Sequence, residues 1–176
     1  MAKFKIQKTS SHVNWTGKKI LGLHTGTINI ESGFIEMEDD EFKVSEVAID
    51  MTSIVVTDID DTKTNQEFRD HLLHDDFFAV HKHPTSHLTV TKATHLNNLE
   101  YKLDGTLTIK NISHPITFTT KLERFSDTLH SLGEIVIDRT LYNIRYGSGK
   151  FIKDLGDKLI YDEFVLQFKL IAQKAN

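Results

Sequence analysis

Hydrophobic and polar residues alternate along most of this chain with a period of two. Residues 101–110, YKLDGTLTIK, place Tyr101, Leu103, Leu107 and Ile109 on one face and charged or threonine side chains on the other. Such alternation is typical of strands that bury one face and leave the other in water. Equivalent runs predict further strands over residues 12–16, 25–30, 41–51, 86–94, 115–122, 129–137 and 162–172.

Turn-forming residues separate these runs. They cluster at residues 31–33 (ESG), 38–41 (EDDE), 97–98 and 111–115 (NISHP), where we predict turns. The pair Asp104-Gly105 is typical of tight hairpins, but the alternation continues through it. We therefore predict an uninterrupted strand there, with Gly105 allowing another part of the chain to pack closely.

One segment, about residues 61–80, lacks the alternation and has the chemistry of a helix. Asp61 or Thr62 can cap its N-terminus, and Phe68 and Leu72 fall four residues apart on one helical face. The pattern predicts a single helical insertion among the strands.

A second short turn is predicted after this helix. Asp75 or Asp76 is the candidate cap for it, and Phe77 and Phe78 supply apolar side chains for packing. We expect this turn to close one end of the sheet structure.

About eight antiparallel strands with one apolar face each must bury those faces together. We therefore predict an all-β fold, an eight-stranded antiparallel barrel with one helical insertion, in a single domain over residues 1–176. A closed barrel leaves no exposed strand edge, and eight strands leave room for one small ligand. A β-sandwich is the alternative that periodicity alone leaves open.

The composition of the chain argues against several classes of function. The chain has no cysteine, which excludes disulfides and thiolate metal sites, and its net charge of −4 with no basic cluster argues against nucleic-acid binding. No apolar run approaches the roughly 20 residues of a membrane-spanning helix. The first residues lack the apolar run of a signal peptide, which predicts a cytoplasmic protein, or a periplasmic one if a leader has been removed.

Histidines concentrate in residues 69–84, RDHLLHDDFFAVHKHP. His71, His74, His81 and His83 match no standard zinc spacing, and no serine lies in a nucleophile elbow, so we predict no metal, no cofactor and no catalytic residue. A metal-binding protein or enzyme centred on these four histidines is the alternative hypothesis.

Several stretches together resemble the YceI-like family of lipocalin-like, isoprenoid-binding proteins, in the variant common in Bacteroidetes-type bacteria. They occur in family order along nearly the whole chain. The matching stretches are WTGKKILGLHTGTINIESG (15–33), AIDMTSI (48–54), HLLHDDFF (71–78), HP (83–84), LDGTLTIKNISHPITF (103–118), IDRTLYNIRYGSGKF (137–151) and IYDEFVLQFKLIA (160–172).

The resemblance implies a lipocalin-like barrel with an elongated apolar channel and no enzymatic activity. It implies binding, sequestration or transport of a long apolar amphiphile, namely an isoprenoid, an isoprenoid quinone or a fatty-acid derivative. It also allows a homodimer. An interaction module of the stress response, with a solid core in place of the channel, is a further alternative.

Site residues follow from the strand faces. The small residues Gly105, Thr120, Ser131 and Gly133 are placed inward, which favours free space inside the barrel. We assign Arg139, Arg145 and Tyr146 to the ligand's head group and Phe77 and Phe78 to the closure of one end. The predicted wall consists of Leu107, Ile109, Phe118, Ile137, Phe164 and Phe168.

Overall fold

The computed structural model describes residues 1–175 and consists mainly of antiparallel strands. Strands β2 to β9 form a closed ring, in which each strand pairs with the next along the chain and β9 pairs back with β2. This closure confirms the predicted eight-stranded barrel and excludes the sandwich. The strands are β1 (Ala2–Ile6), β2 (His12–Lys19), β3 (Gly22–Glu38), β4 (Glu41–Val56), β5 (Thr85–Asn97), β6 (Glu100–Ile109), β7 (Ile112–Phe125), β8 (Thr128–Asp138) and β9 (Ile160–Lys174).

Strand β1 shares one position of the barrel with β2. It pairs with β3, placing Phe4 opposite Ile35, and with β9, placing Ile6 opposite Ala172. These are the two strands that flank β2, so β1 extends the position of β2 toward one end of the barrel. The ring therefore has eight positions although the chain has nine strands.

The predicted turn at residues 31–33 is wrong, because β3 runs straight through it. The pairing of β3 with β4 shifts register between Ile30 and Ser32, and such a bulge bends a strand without ending it. The uninterrupted strand through Asp104–Gly105 is confirmed. A Cβ on Gly105 would collide with the carbonyl oxygen of Thr89, so glycine permits close packing there, as predicted.

The predicted turn that ends at Pro115 is shorter than expected. A two-residue hairpin, Lys110–Asn111, turns the chain with φ values of 54° and 59°, so β7 already begins at Ile112. Pro115 lies opposite Thr106, at a position of the ladder that needs no N–H donor toward β6. Pairing with β8 starts only at Thr119, so the missing N–H breaks no hydrogen bond on that side either.

The two ends of the barrel differ in construction. At the closed end, short turns at residues 39–40, 98–99 and 126–127 join the strands. At the mouth end, the chain makes two long excursions, over residues 57–84 and 139–159. Fully buried side chains occur at both ends, with Phe4 and Leu129 at 0% and 1% exposure near the closed end and Ile144 at 0% in the second excursion.

A single α-helix, α1 (Thr62–Leu73), lies in the first excursion. Asp61 caps it, because its carboxylate accepts hydrogen bonds from Thr64 N (2.8 Å) and Thr64 Oγ1 (2.7 Å). The predicted helical insertion is thus confirmed. Within residues 1–175, no helix has the length and apolar character needed to span a bilayer.

The predicted cap of the following turn is wrong. Neither carboxylate accepts a backbone N–H in the described residues; instead, His74 Nδ1 accepts a long hydrogen bond (3.4 Å) from the N–H of Asp76. Asp75 instead lies beside Lys82 Nζ at 3.1 Å and His81 Nε2 at 3.3 Å.

Candidate functional site

A cavity of about 300 Å³ opens inside the mouth end of the barrel. Its wall is almost wholly apolar, and α1 contributes Phe68 and Leu72 to it. Charged side chains occur at the rim, including Lys18, Lys19 and Glu163. Seven of the residues assigned to the site from sequence line this cavity, namely Phe77, Phe78, Leu107, Ile109, Ile137, Arg139 and Phe164.

A second cavity of about 90 Å³ continues the space toward the closed end. Two more of the assigned residues, Phe118 and Phe168, line it and meet edge to face with ring centroids 5.9 Å apart. Thr120 and Ser131 also line it and hydrogen-bond to each other at 2.8 Å, so this inner polar pair is already satisfied. The two cavities share a ring of wall residues consisting of Val13, Ile49, Leu107, Ile137 and Leu166.

The small residues predicted to face inward divide into two groups. Thr120 and Ser131 line the inner cavity, whereas Gly105 and Gly133 line neither. A Cβ on Gly133 would stand 2.7 Å from the ring of Phe168, so this glycine creates a contact for an aromatic ring and leaves no empty space. The prediction that both glycines favour free space is therefore wrong.

Gly17 supplies the space that those glycines do not. It lines the outer cavity, and a Cβ built on it would have no heavy atom within 4 Å. The residues two before and four before it in β2, Trp15 and Val13, line the same cavity. The sequence carried this signal in the alternation of HVNWTGK, which places a glycine in the inward register.

The helical segment is fastened over the mouth by hydrogen bonds to the end of β4. Arg69 Nε and Nη2 donate to the carbonyl oxygens of Ile54 (2.7 Å) and Thr52 (3.0 Å). Asn65 Nδ2 donates to the carbonyl oxygens of Val56 and Ile59, both at 2.9 Å. These contacts hold α1 with its apolar face toward the cavity.

Aromatic contacts complete the closure at this end. Phe77 is buried and lies near His71 and Tyr146, with ring centroids 4.9 Å and 5.5 Å away. Phe78 meets Phe164 edge to face at 6.2 Å, across the cavity mouth. Both phenylalanines thus lie where the sequence placed them, at the end of the apolar interior.

Arg139 is a buried cation that lines the outer cavity, with 4% of its surface exposed. Its guanidinium donates to the carbonyl oxygens of Tyr161 (3.0 Å), Ile144 (3.0 Å) and Ile160 (3.1 Å). An arginine has five N–H donors, so two have no partner within residues 1–175. No carboxylate in that range forms an ion pair with it.

The carboxylates nearest to Arg139 are occupied elsewhere. Asp138 and Asp162 both approach Lys150 Nζ, at 3.1 Å and 3.6 Å. Desolvation by burial lowers the pKa of Arg139, and the negative charges of Asp162 and Asp138 counter this effect. An arginine stays protonated at neutral pH, so a buried residue of the cavity wall carries a positive charge.

Arg145 and Tyr146, also assigned to the head group, line neither cavity. The guanidinium of Arg145 lies over the ring of Phe151, 4.3 Å from its centroid, on the outer surface. Tyr146 packs against His71 with ring centroids 4.6 Å apart. Sequence neighbours of Arg139 therefore occupy different environments, because the segment after β8 is a 3₁₀ turn (Arg139–Tyr142) and not a strand.

Trp15 is a cavity residue that the sequence assignment missed. Its indole Nε1 is buried and has no hydrogen-bond partner in residues 1–175. A buried donor left unpaired costs roughly 1–3 kcal/mol, so an oxygen atom from a water molecule or a ligand would be stabilising there. It is also the only tryptophan of the chain.

Three of the four clustered histidines lie beside carboxylates, two of them beside the same one. His71 Nε2 lies 3.3 Å and His74 Nδ1 3.8 Å from Asp76 Oδ2, whereas His81 approaches Asp75. Across residues 1–175, no three His, Asp or Glu side chains are arranged to hold a metal ion. The geometry gives no support to the hypothesis of a histidine-centred metal site.

Comparison with known proteins matches residues 4–172 to the YceI-like domain. Among solved structures, BcnA of Burkholderia cenocepacia aligns with a TM-score of 0.76 at 20% identity, over 96% of this chain and 99% of that one. A polyisoprenoid-binding domain from Saccharophagus degradans, implicated in plant cell wall breakdown, aligns with a TM-score of 0.73 at 16% identity, over 98% of each chain.

The YceI protein of Campylobacter jejuni aligns with a TM-score of 0.63 at 22% identity, over 85% of each chain. At such identities the likeness establishes a common fold. No curated protein sequence matches the chain.

Proposed function

The chain belongs to the YceI-like family, and from that premise we propose that its barrel binds one long apolar amphiphile without transforming it. The observation that carries the proposal is the apolar cavity of about 300 Å³, continued inward by one of about 90 Å³. Small-molecule pockets range over about 300–1,000 Å³, so the volume suits a single chain. The polyisoprenoid binding reported for the Saccharophagus degradans relative points to the same ligand class.

The polar atoms of the cavity indicate what the ligand carries besides its chain. Arg139 and Trp15, two residues of the cavity wall, have N–H donors without a partner in residues 1–175, and such donors suit oxygen acceptors. A carboxylate or a quinone carbonyl at the outer end of the ligand would accept from Arg139. The ligand is therefore an isoprenoid, an isoprenoid quinone or a fatty-acid derivative with its oxygen-bearing end toward the mouth.

The small inner cavity bears on the length of the chain. A chain that fills only the outer cavity ends at the ring that includes Val13 and Leu107, whereas a longer one must pass through this ring. We infer that short prenyl or acyl chains bind without rearrangement. Longer chains must push apart the wall residues that the two cavities share.

Two measurements test the proposal. Native mass spectrometry of the purified protein, followed by lipid extraction, identifies any chain that it retains. Titration with a fatty acid, a prenyl alcohol and a prenyl quinone is followed by the fluorescence of Trp15, the only tryptophan. We expect saturable changes for at least one of them.

Gly17→Leu is the matched blocking variant. Its side chain enters the open space of the outer cavity, so affinity should fall at least about tenfold, which is 1.4 kcal/mol. Thr16→Leu adds a similar side chain on the opposite face of β2 and should leave affinity unchanged. The proposal is wrong if no chain binds or if both variants bind as the parent does.

A further inference from the structure

Exposed apolar side chains gather on one side of the cavity mouth. Of the 15 large hydrophobic residues that are exposed in residues 1–175, seven lie in two short segments, 16–24 and 143–161. We call these two segments together the basic rim. Its most exposed apolar residue is Leu21, at the tip of the β2–β3 hairpin, with 73% of its surface in solvent. The others are Ile20, Leu23, Tyr146, Phe151, Ile152 and Tyr161.

Positive charge is concentrated in the same rim. It contains six of the 21 Lys and Arg residues and two of the 25 Asp and Glu residues, and one of the six, Lys150, is paired with Asp138 and Asp162 just outside the two segments. The remainder of the chain is therefore strongly negative, although the chain as a whole carries −4. This charge asymmetry selects a negatively charged partner.

Backbone pairing joins the two segments of the rim next to the cavity. Lys19 lies opposite Ile160 in the ladder between β2 and β9, and the N–H of Ile20 donates to the carbonyl of Leu159 at 3.4 Å. Lys18, Lys19 and Tyr161 also line the mouth of the outer cavity. The rim is thus one surface that borders the opening.

Other surfaces with exposed apolar residues carry charges of both signs. At the closed end, Leu96, Leu99 and Phe125 are exposed, and the strand ends there include the acidic run EDDE (38–41) as well as basic residues such as Lys92 and Arg124. The helical segment, which contacts the rim where His71 packs against Tyr146, is acidic, with seven Asp or Glu against three Lys or Arg in residues 57–84. Nearly half of the exposed large apolar side chains in residues 1–175 lie in the rim, where basic residues outnumber acidic ones.

We propose that the basic rim docks the barrel onto an anionic lipid bilayer, with the hairpin tip inserted among the headgroups and the cavity mouth facing the membrane. Leu21 and its apolar neighbours enter the membrane–water interface. The lysines contact lipid phosphates, and each adds electrostatic attraction to the anionic surface. The inference goes beyond ligand binding, because the empty protein should dock as well.

Vesicle sedimentation tests it. The protein is mixed with vesicles of phosphatidylcholine alone or with added phosphatidylglycerol. We expect binding to the anionic vesicles only, and loss of binding at high salt, because salt screens the lysine–phosphate attraction. Lys153→Glu with Lys158→Glu should weaken binding at least about fivefold, since both side chains are exposed in the rim.

Matched apolar variants locate the docking face. Leu21→Glu should also weaken binding at least about fivefold, whereas Leu96→Glu, the same substitution at the closed end, should not. Equal binding by both variants, or equal binding to both kinds of vesicle, would overturn the inference. So would a change from dimer to monomer in Leu21→Glu with unchanged vesicle binding, because the rim would then be a contact between copies of the chain.

The same preparations separate this inference from ligand binding. Gly17→Leu, which fills the cavity, should still bind anionic vesicles. Leu21 does not line the cavity, so the Leu21→Glu variant should still show a change in Trp15 fluorescence when ligand is added. If the parent protein binds ligand but does not bind anionic vesicles, the docking inference is wrong and the proposed ligand binding stands.

Discussion

The closed end and the mouth end of this barrel are built from the same strands but serve different purposes. The closed end has two-residue turns and side chains such as Phe4 and Leu129 with almost no exposed surface. The mouth end has two long excursions, an apolar cavity and a buried cation, Arg139. The closed end is thus filled mainly by side chains of paired strands, whereas the mouth end keeps empty space and exposed apolar groups beside its own buried turn.

This difference has an energetic reason. A cavity stabilises nothing, because the groups that line it lack packing partners on one side. The apolar groups around the mouth gain that packing only when a ligand or a membrane covers them. We therefore expect substitutions at the closed end to change mainly the free energy of unfolding, and substitutions at the mouth to change mainly binding.

The largest expected effect is that of Phe4→Ala at the closed end. Phe4 is completely buried, so the loss of its ring should lower the free energy of unfolding by about 3–5 kcal/mol. Phe78→Ala, at the edge of the outer cavity, should cost less than half as much, because its ring already borders empty space. Urea denaturation measures both, and equal losses would remove the energetic distinction between the two ends.

Much of this fold could be predicted from the sequence because alternation reports burial directly. The runs through Leu107, Phe118 and Phe168 place these residues inward, and the structure agrees. The continuity of strands was harder to predict. Residues 31–33 are typical of a turn, but β3 continues through them with a bulge. Local propensity cannot distinguish a bulge from a turn, because pairing with β4 decides between them.

The site was less predictable where the chain leaves the regular strands. Arg139 and Arg145 look equivalent in sequence, but the 3₁₀ turn between them buries the first and exposes the second. Gly17 and Gly133 likewise look equivalent, yet only Gly17 borders open space. The deciding factor is a local turn for the arginines and a tertiary neighbour for the glycines, and periodicity reveals neither.

At the mouth end, Arg139 should affect stability as well as binding. Arg139 lies at the mouth but ties the segment after β8 to β9 through three backbone carbonyls. Arg139→Lys should lower the free energy of unfolding by about 2–4 kcal/mol, because a lysine cannot reach all three and unpaired carbonyls remain buried.

Arg145→Lys is the matched control for that exchange. Arg145 is exposed over the ring of Phe151, so the change should be within about 0.5 kcal/mol. If both exchanges cost the same in thermal denaturation, the backbone contacts of Arg139 are not what stabilises the segment, and its place in the cavity concerns ligand binding alone.

The smallest expected effect is that of low pH on the stability of the helical segment. Burial acts to raise the pKa of Asp58, but hydrogen bonds from the Thr25 N–H and from His24 outweigh it, so the pKa falls below its ordinary value of 3.8. Hydrogen bonds from Thr64 lower the pKa of Asp61. A carboxyl with a lowered pKa in the folded state stabilises above its ordinary pKa, and that contribution is lost as the pH falls through the lowered value.

Both carboxyls fasten the helical segment, so acidification below about pH 4 should loosen residues 57–84 before β1. Amide signals in NMR spectra recorded over a pH series can follow the two regions separately. Asp58→Asn removes one titrating group and should shrink the change in residues 57–84 while leaving that of β1 as it was. Simultaneous loss of both sets of signals in the parent would mean that the mouth end has no independent stability, since its acid-sensitive contacts would then be coupled to the closed end through the whole barrel.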